Sequence, residues 1–137
     1  MVTIYSFRPF LRLSRSSLPA AAGGLVQFEL QFPGAEALCS HAILASAAGT
    51  GPGTMGGLVV PLGAVPVFRR SIQGTTPPGA AGMRRQLDRS AAARATWEAR
   101  PGALARWTGG KLWFAAVSFQ AGVARCSSAA AGLAILP

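Results

Sequence analysis

From Leu25 to Phe32 the chain alternates: Val26, Phe28, Leu30 and Phe32 are apolar, and Leu25, Gln27, Glu29 and Gln31 form a mostly polar second set. A period of two puts these sets on opposite sides of an extended backbone, so the stretch predicts a strand with one buried face. Upstream, "FLRLSRSSLP" sets Leu11 and Leu13 against Arg12 and Ser14, a second strand-like alternation ending at Pro19. "HAILASA" reads as a third strand and "KLWFAAVSFQ" as the strongest central one, followed by a turn at "QAGV" and a closing "GLAIL". "LVVPL" and "VPVFRRSI" are apolar pieces carrying Pro61 and Pro66; lacking an N–H, proline suits strand ends and edges. Short strands punctuated by glycine and proline predict an antiparallel sandwich or barrel. Its core candidates are Val26, Phe28, Leu30, Leu44, Trp97, Leu112, Phe114 and Val117.

Two stretches resist a simple strand reading. "LDRSAAARATWEAR", Leu87–Arg100, is rich in helix formers, and Asp88 or Ser90 offers a cap, so propensity alone favours a helix. Yet Ala93, Ala95 and Trp97 alternate with Arg94, Thr96 and Glu98 as a strand would. The second is "GTGPGTMGGLVVPLG", Gly49–Gly63. A phosphate-cradling P-loop needs a lysine after its second glycine, and none is present. Gly51, Gly53 and Gly56 do satisfy G-x-G-x-x-G, but that motif must open a helix, and "GLVVPLG" opposes one with Pro61 and two valines. Gly49–Gly57 is therefore expected to be a wide turn between strands.

Composition narrows the class. A chain of 137 residues, half of them apolar and 12% charged, is one domain rather than a disordered segment. Its charge is lopsided: 13 basic residues, Lys111 and otherwise arginine, face only Glu29, Glu36, Asp88 and Glu98, for a net +9. Abundant Ala, Gly, Arg and Pro is also what GC-rich coding produces, so the charge has two readings, coding bias or an acidic partner. Apolar runs stop well short of the ~20 residues of a membrane helix. "MVTIYSFRPFLRLSR" is broken by Arg8 and Pro9, unlike the continuous apolar stretch of a secretory leader.

Candidate chemistry is sparse. His41 is the sole histidine, and with Cys39 two positions earlier it would share one strand face, a geometry open to a nucleophile or a soft metal, with Cys126 as a third donor. Structural zinc wants four ligands, so neither metal nor cofactor is expected, and no enzyme activity is either. The two cysteines lie far apart in sequence and are expected to stay unpaired. Glu29 and Glu36 are a possible carboxylate pair, though nothing in the sequence sets them across a cleft. The remaining signal is basic: Arg69, Arg70, Arg84, Arg85, Arg89 and Arg94, with Arg100 and Arg106 following, form a candidate polyanion-binding set beside three tryptophans. The competing reading is a solvated face that keeps an acid-poor domain soluble.

Four blocks stand in order along the chain: "LSRSSLPAAAGGLVQFELQFP", "AILASAAGTGPGTMGGLVVPL", "LDRSAAARATW" and "LWFAAVSFQAGVARCSSAAAGLAILP". Together they resemble the β-sandwich modules of large secreted bacterial surface proteins of the planctomycete type. In those modules an opening strand leads to a small-residue turn, then an L-D-x-x-G-x-A strand and a closing "LTILP". This chain departs from the pattern in its many basic residues and around Ala91–Ala92, where the glycine is replaced. The resemblance implies an all-β, Ig-like or jelly-roll-like antiparallel sandwich of about seven to nine strands over residues 11–137. It also reassigns Ala91–Ala99 to a strand. Residues 1–10 have no counterpart and form an N-terminal strand or extension.

The resemblance implies a non-enzymatic structural or adhesive protein of an extracellular or cell-surface assembly. The alternative is a virion component (capsid, decoration or tail), or a protein using its arginines on nucleic acid or acidic polysaccharide. Self-association is expected through Val2, Ile4, Phe7 and Phe10, apolar side chains that a solvated tail would not keep.

Overall fold

The computed structural model describes residues 10–47, 53–55, 58–60 and 79–137. The expected all-β sandwich is present. Its strands are β1 (Leu11–Leu13), β2 (Ser17–Pro19), β3 (Gly24–Gln31), β4 (Ser40–Ser46), β5 (Gly53–Met55), β6 (Leu58–Val60), β7 (Ala80–Ala81), β8 (Arg84–Gln86), β9 (Ala92–Ala99), β10 (Lys111–Gln120), β11 (Val123–Ser127) and β12 (Ala131–Leu136). These twelve exceed the expected seven to nine because several are fragments of two or three residues. One sheet runs β1-β3-β9-β7 and the other β2-β12-β10-β4-β8, with β11 continuing the β12 side of β10. Pairing is antiparallel except for β2 beside β12, which is parallel.

The alternation read at residues 25–32 decides the first sheet. Val26, Phe28 and Leu30 of β3 point inward with Ala95, Trp97 and Ala99 of β9, against Leu18, Leu112, Phe114, Leu133 and Ile135 of the second sheet. Segment 87–100 is no helix. Ala92–Ala99 pairs along the whole of β3, Val26 opposite Trp97, and the burial of its odd-numbered face outweighs alanine's helix propensity. The strand expected at Phe10–Pro19 is two strands in different sheets. Ser14 ends the first by donating its N–H to Gln27 O and accepting Gln27 N–H on its hydroxyl, and the chain then crosses to the second sheet.

The eight core candidates are all buried, but not on one face. Leu44 and Val117 join Ala42 and Ala115 on the outer side of the β4–β10 pair, so these two strands are buried on both sides. The β10–β11 hairpin turns through Ala121 (φ 51°) and Gly122 (φ 79°), the left-handed pair of a type I′ turn, whose twist suits two tightly linked strands. Gly132 lies beneath the Trp113 ring, so close that a Cβ would stand 2.9 Å from it.

Within the wide turn expected over Gly49–Gly57, Gly53–Met55 is a strand, and the rest of that range lies outside the described residues. Gly53–Met55 pairs antiparallel with Leu58–Val60, so Leu58–Val60 extends as a strand rather than opening a helix. A dinucleotide loop needs that helix N-terminus for the pyrophosphate. Segment "VPVFRRSI" and the rest of 61–78 lie outside the described residues.

Candidate functional site

After β3 the chain leaves the sheet at Pro33 and makes a single 3-10 turn, Gly34–Glu36. The turn tucks Glu36 under the far end of β10 and β11, where its side chain is 8% exposed. Arg125 of β11 reaches it: Nε donates to Oε2 at 2.8 Å and to Oε1 at 3.2 Å, and Nη1 donates to Gln120 Oε1 at 2.8 Å. Ser118 of β10 donates its hydroxyl to Glu36 Oε1 at 3.2 Å. The hydrogen bond and charge of Glu36 push the Arg125 pKa up. A buried carboxylate requires such partners, since stripping it of water unaided would cost several kcal/mol.

His41 stands beside this cluster. It is opposite Ser118 on β10 and opposite Arg85 on β8. It is 2% exposed, and neither ring nitrogen has a hydrogen-bond partner. Burial, and then the Arg85 charge, lower its pKa to about 4. Ser118, His41 and Glu36 are the residue types of an acyl-transfer triad, but they are wired differently. In a triad the imidazole takes the serine proton and the acid orients the imidazole. Here the serine donates directly to the acid, and the imidazole bonds to neither.

Cys39 is buried and Cys126 half-buried, and both are free. Burial pushes the Cys126 thiol pKa up, and the Glu36 charge adds to the effect. Cys126 pairs with Ser118 on one side of β10, while β4, which Cys39 precedes, lies on the other. Two strand spacings of about 4.8 Å separate the Cα atoms by about 10 Å, beyond the roughly 7 Å a disulfide spans. Among the described residues, no group of three or more His, Cys, Asp or Glu is placed to hold a metal ion.

The described arginines of the candidate set do not gather on one surface. Arg84, opposite Ala42, projects from the outer side of the second sheet, with its guanidinium 5.9 Å from the Phe119 ring centroid. Arg85, on the other side of β8, flanks His41, and Arg89 sits in the turn after β8. Arg94 projects from the outer side of the first sheet, in a row with Glu29 and Arg12. Arg84 and Arg94 therefore point away from each other across the sandwich. Arg69 and Arg70 lie outside the described residues. The row on the first sheet floors a groove of about 730 Å³ lined by Phe10, Arg12, Glu29, Gln31, Asp88 and Arg94, with charges of both signs. Glu29 is thus on an exposed sheet face while Glu36 is buried at the β10–β11 end, so the two do not form a carboxylate pair.

Of the four self-association candidates, Phe10 alone is described. Its carbonyl accepts the Gln31 N–H at 2.8 Å, and its ring lies 5.2 Å from that of Phe32. Phe10 thus extends the pairing of β1 along β3 within its own chain; Val2, Ile4 and Phe7 lie outside the described residues. Arg125 was absent from the basic set read in sequence. The signal that could have found its partner is Glu36 itself, an acid in the otherwise uncharged "FPGAEALC", which on burial must draw a cation from elsewhere.

No protein-family model matches the chain, and no curated protein matches it. Among the described residues no helix is long and apolar enough to cross a membrane.

Proposed function

We propose that the chain is a non-enzymatic structural β-sandwich of an extracellular or cell-surface assembly, associating with copies of itself or with another structural subunit. One observation carries this reading: the polar cluster at Glu36 is spent inside the fold. Its carboxylate, the Arg125 guanidinium, the Ser118 hydroxyl and Gln120 bond one another and pin the β3–β4 connection to the β10–β11 hairpin. The resemblance to secreted sandwich modules gains support at Ala91. There φ is 61°, a backbone conformation glycine adopts freely and alanine does not, at the turn where those modules carry glycine.

Assembly through the N-terminal segment fits the edges of the sandwich. Among the described residues, the edge strands β1, β2, β7 and β8 have two or three residues each, too short for extended pairing with a neighbour, and β11, which pairs with β10 alone, has five. An added strand must then bring its own apolar anchors, as Val2, Ile4 and Phe7 do. The alternative, a virion component or a polyanion-binding protein, draws on Arg84, Arg85, Arg89 and Arg94; the opposed directions of Arg84 and Arg94 favour it less. Deleting residues 1–9, which keeps Phe10 on β3, tests the proposal by light scattering and thermal melting. Loss of assembly with an unchanged melting curve is expected. A destabilised chain that was monomeric before deletion overturns it.

A further inference from the structure

We propose that His41 is an acid-operated latch on the edge strand β8: while the imidazole is neutral the β8–β4 ladder stays closed, and protonation releases β8 and bares the edge of β4. The latch rests on the surroundings of His41 and not on the assembly proposed above. His41 is the central residue of the three in β4 that pair with β8, flanked by Ser40 opposite Gln86 and Ala42 opposite Arg84. It is buried with both ring nitrogens unpartnered.

The groups around it offer an imidazolium little. Protonation turns both nitrogens into donors. On β8 the facing group is Arg85, a like charge. On β10 it is Ser118, whose hydroxyl is given to Glu36, and Glu36 in the 3-10 turn is already bound by Arg125 of β11. Cys39 precedes His41 on its own strand, and Cys126 of β11 pairs with Ser118 on the far side of β10. The Ser118 hydroxyl oxygen keeps a lone pair that can accept one N–H, but it is neutral, so the second N–H and the charge must still reach water.

The two ladders that hold His41 differ in strength. β4 pairs with β10 over seven residues, both faces buried, whereas β8 is a three-residue strand with every side chain exposed. Release of β8 is therefore the cheaper route to hydration. At neutral pH the buried Met83 and Leu87 at either end of β8 keep the ladder closed. Opening it breaks the Ile43 N–H bond to Met83 O at 2.8 Å and the Leu87 N–H bond to Cys39 O at 2.7 Å, and leaves a longer, apolar strand edge open to pairing.

Residue-resolved hydrogen exchange, corrected for intrinsic rates, reads those two amides directly in the full chain. Between pH 7 and 4.5 the protection of Ile43 and Leu87 is expected to fall tenfold or more and to end far below that of the β3–β9 amides, which decline only with the global stability of the domain. In His41→Leu and His41→Gln, which carry no charge at either pH, protection at Ile43 and Leu87 should stay constant. Constant protection in the unmodified chain, protection at Ile43 and Leu87 no lower than in β3–β9 at pH 4.5, or the same loss in the neutral variants overturns the latch. Should His41→Leu fail to fold, His41→Gln decides; should neither fold, the contrast between the two ladders of the unmodified chain decides.

Discussion

Replacing Phe114 by alanine is expected to destabilise the domain by about 4 kcal/mol. Phe114 belongs to β10 in the second sheet, yet its ring meets the first sheet edge-on. Phe28 of β3 lies at 5.1 Å and 69°, and Trp97 of β9 at 6.2 Å and 64°. Such T-shaped pairs add to the free energy of burying the ring. Removing it leaves a cavity between two sheets whose flat faces have little freedom to collapse. Against a total stability of roughly 5–15 kcal/mol for a domain of this size, that is a large fraction. Phe119, near the end of the same strand, faces the other side and is only partly buried, so Phe119→Ala should cost about 1 kcal/mol. Urea titrations with unchanged slope measure both. Equal costs at the two positions would contradict a core centred between the β3–β9 and β10–β4 pairs.

Lowering the pH from 6.5 to 4 is expected to remove about 3 kcal/mol of stability through His41. The sign follows from where protons bind. In the unfolded chain the imidazole titrates near its ordinary value, 6.5, and in the fold near 4. Between those values the unfolded state holds the extra proton, so stability falls as pH falls through the window and levels off below it. His41→Leu should flatten this dependence and leave stability at pH 7 equal or higher, because an apolar side chain replaces two buried, unpartnered nitrogens. Asp88 acts in a different range. Its carboxylate accepts the Ala92 and Ser90 N–H groups and the Ser90 hydroxyl, which hold its pKa below the usual 3.8. Its contribution is present above that value and lost only at lower pH. A denaturation profile flat from pH 6.5 to 4 in the unmodified chain would remove His41 from the account.

The fold was legible where pattern and burial agree. β3 shows one buried and one polar face, and β10, enclosed on both faces, reads as the near-continuous run "LWFAAV". β9 was ambiguous because alanine favours helices in isolation; only pairing with β3 and the inward turn of Trp97 settle it. The division of Phe10–Pro19 between two sheets was hidden, since three polar residues, Ser14–Ser16, look the same in a bend as in a loop. The polar cluster was the least legible feature. Glu36 and Arg125 are 89 positions apart, and no local spacing announces a pair that only the packed sheets bring together. The basic run was plain in sequence, but strand alternation and the crossing between sheets send Arg84 and Arg94 in opposite directions, which a count of charges does not reveal.

Sedimentation equilibrium of the purified chain at neutral pH, over a concentration series, tests the proposed structural assembly most directly. The account predicts species heavier than the 14.0 kDa chain that dissociate on dilution. A single 14.0 kDa species at every concentration, with no other subunit bound, would contradict it.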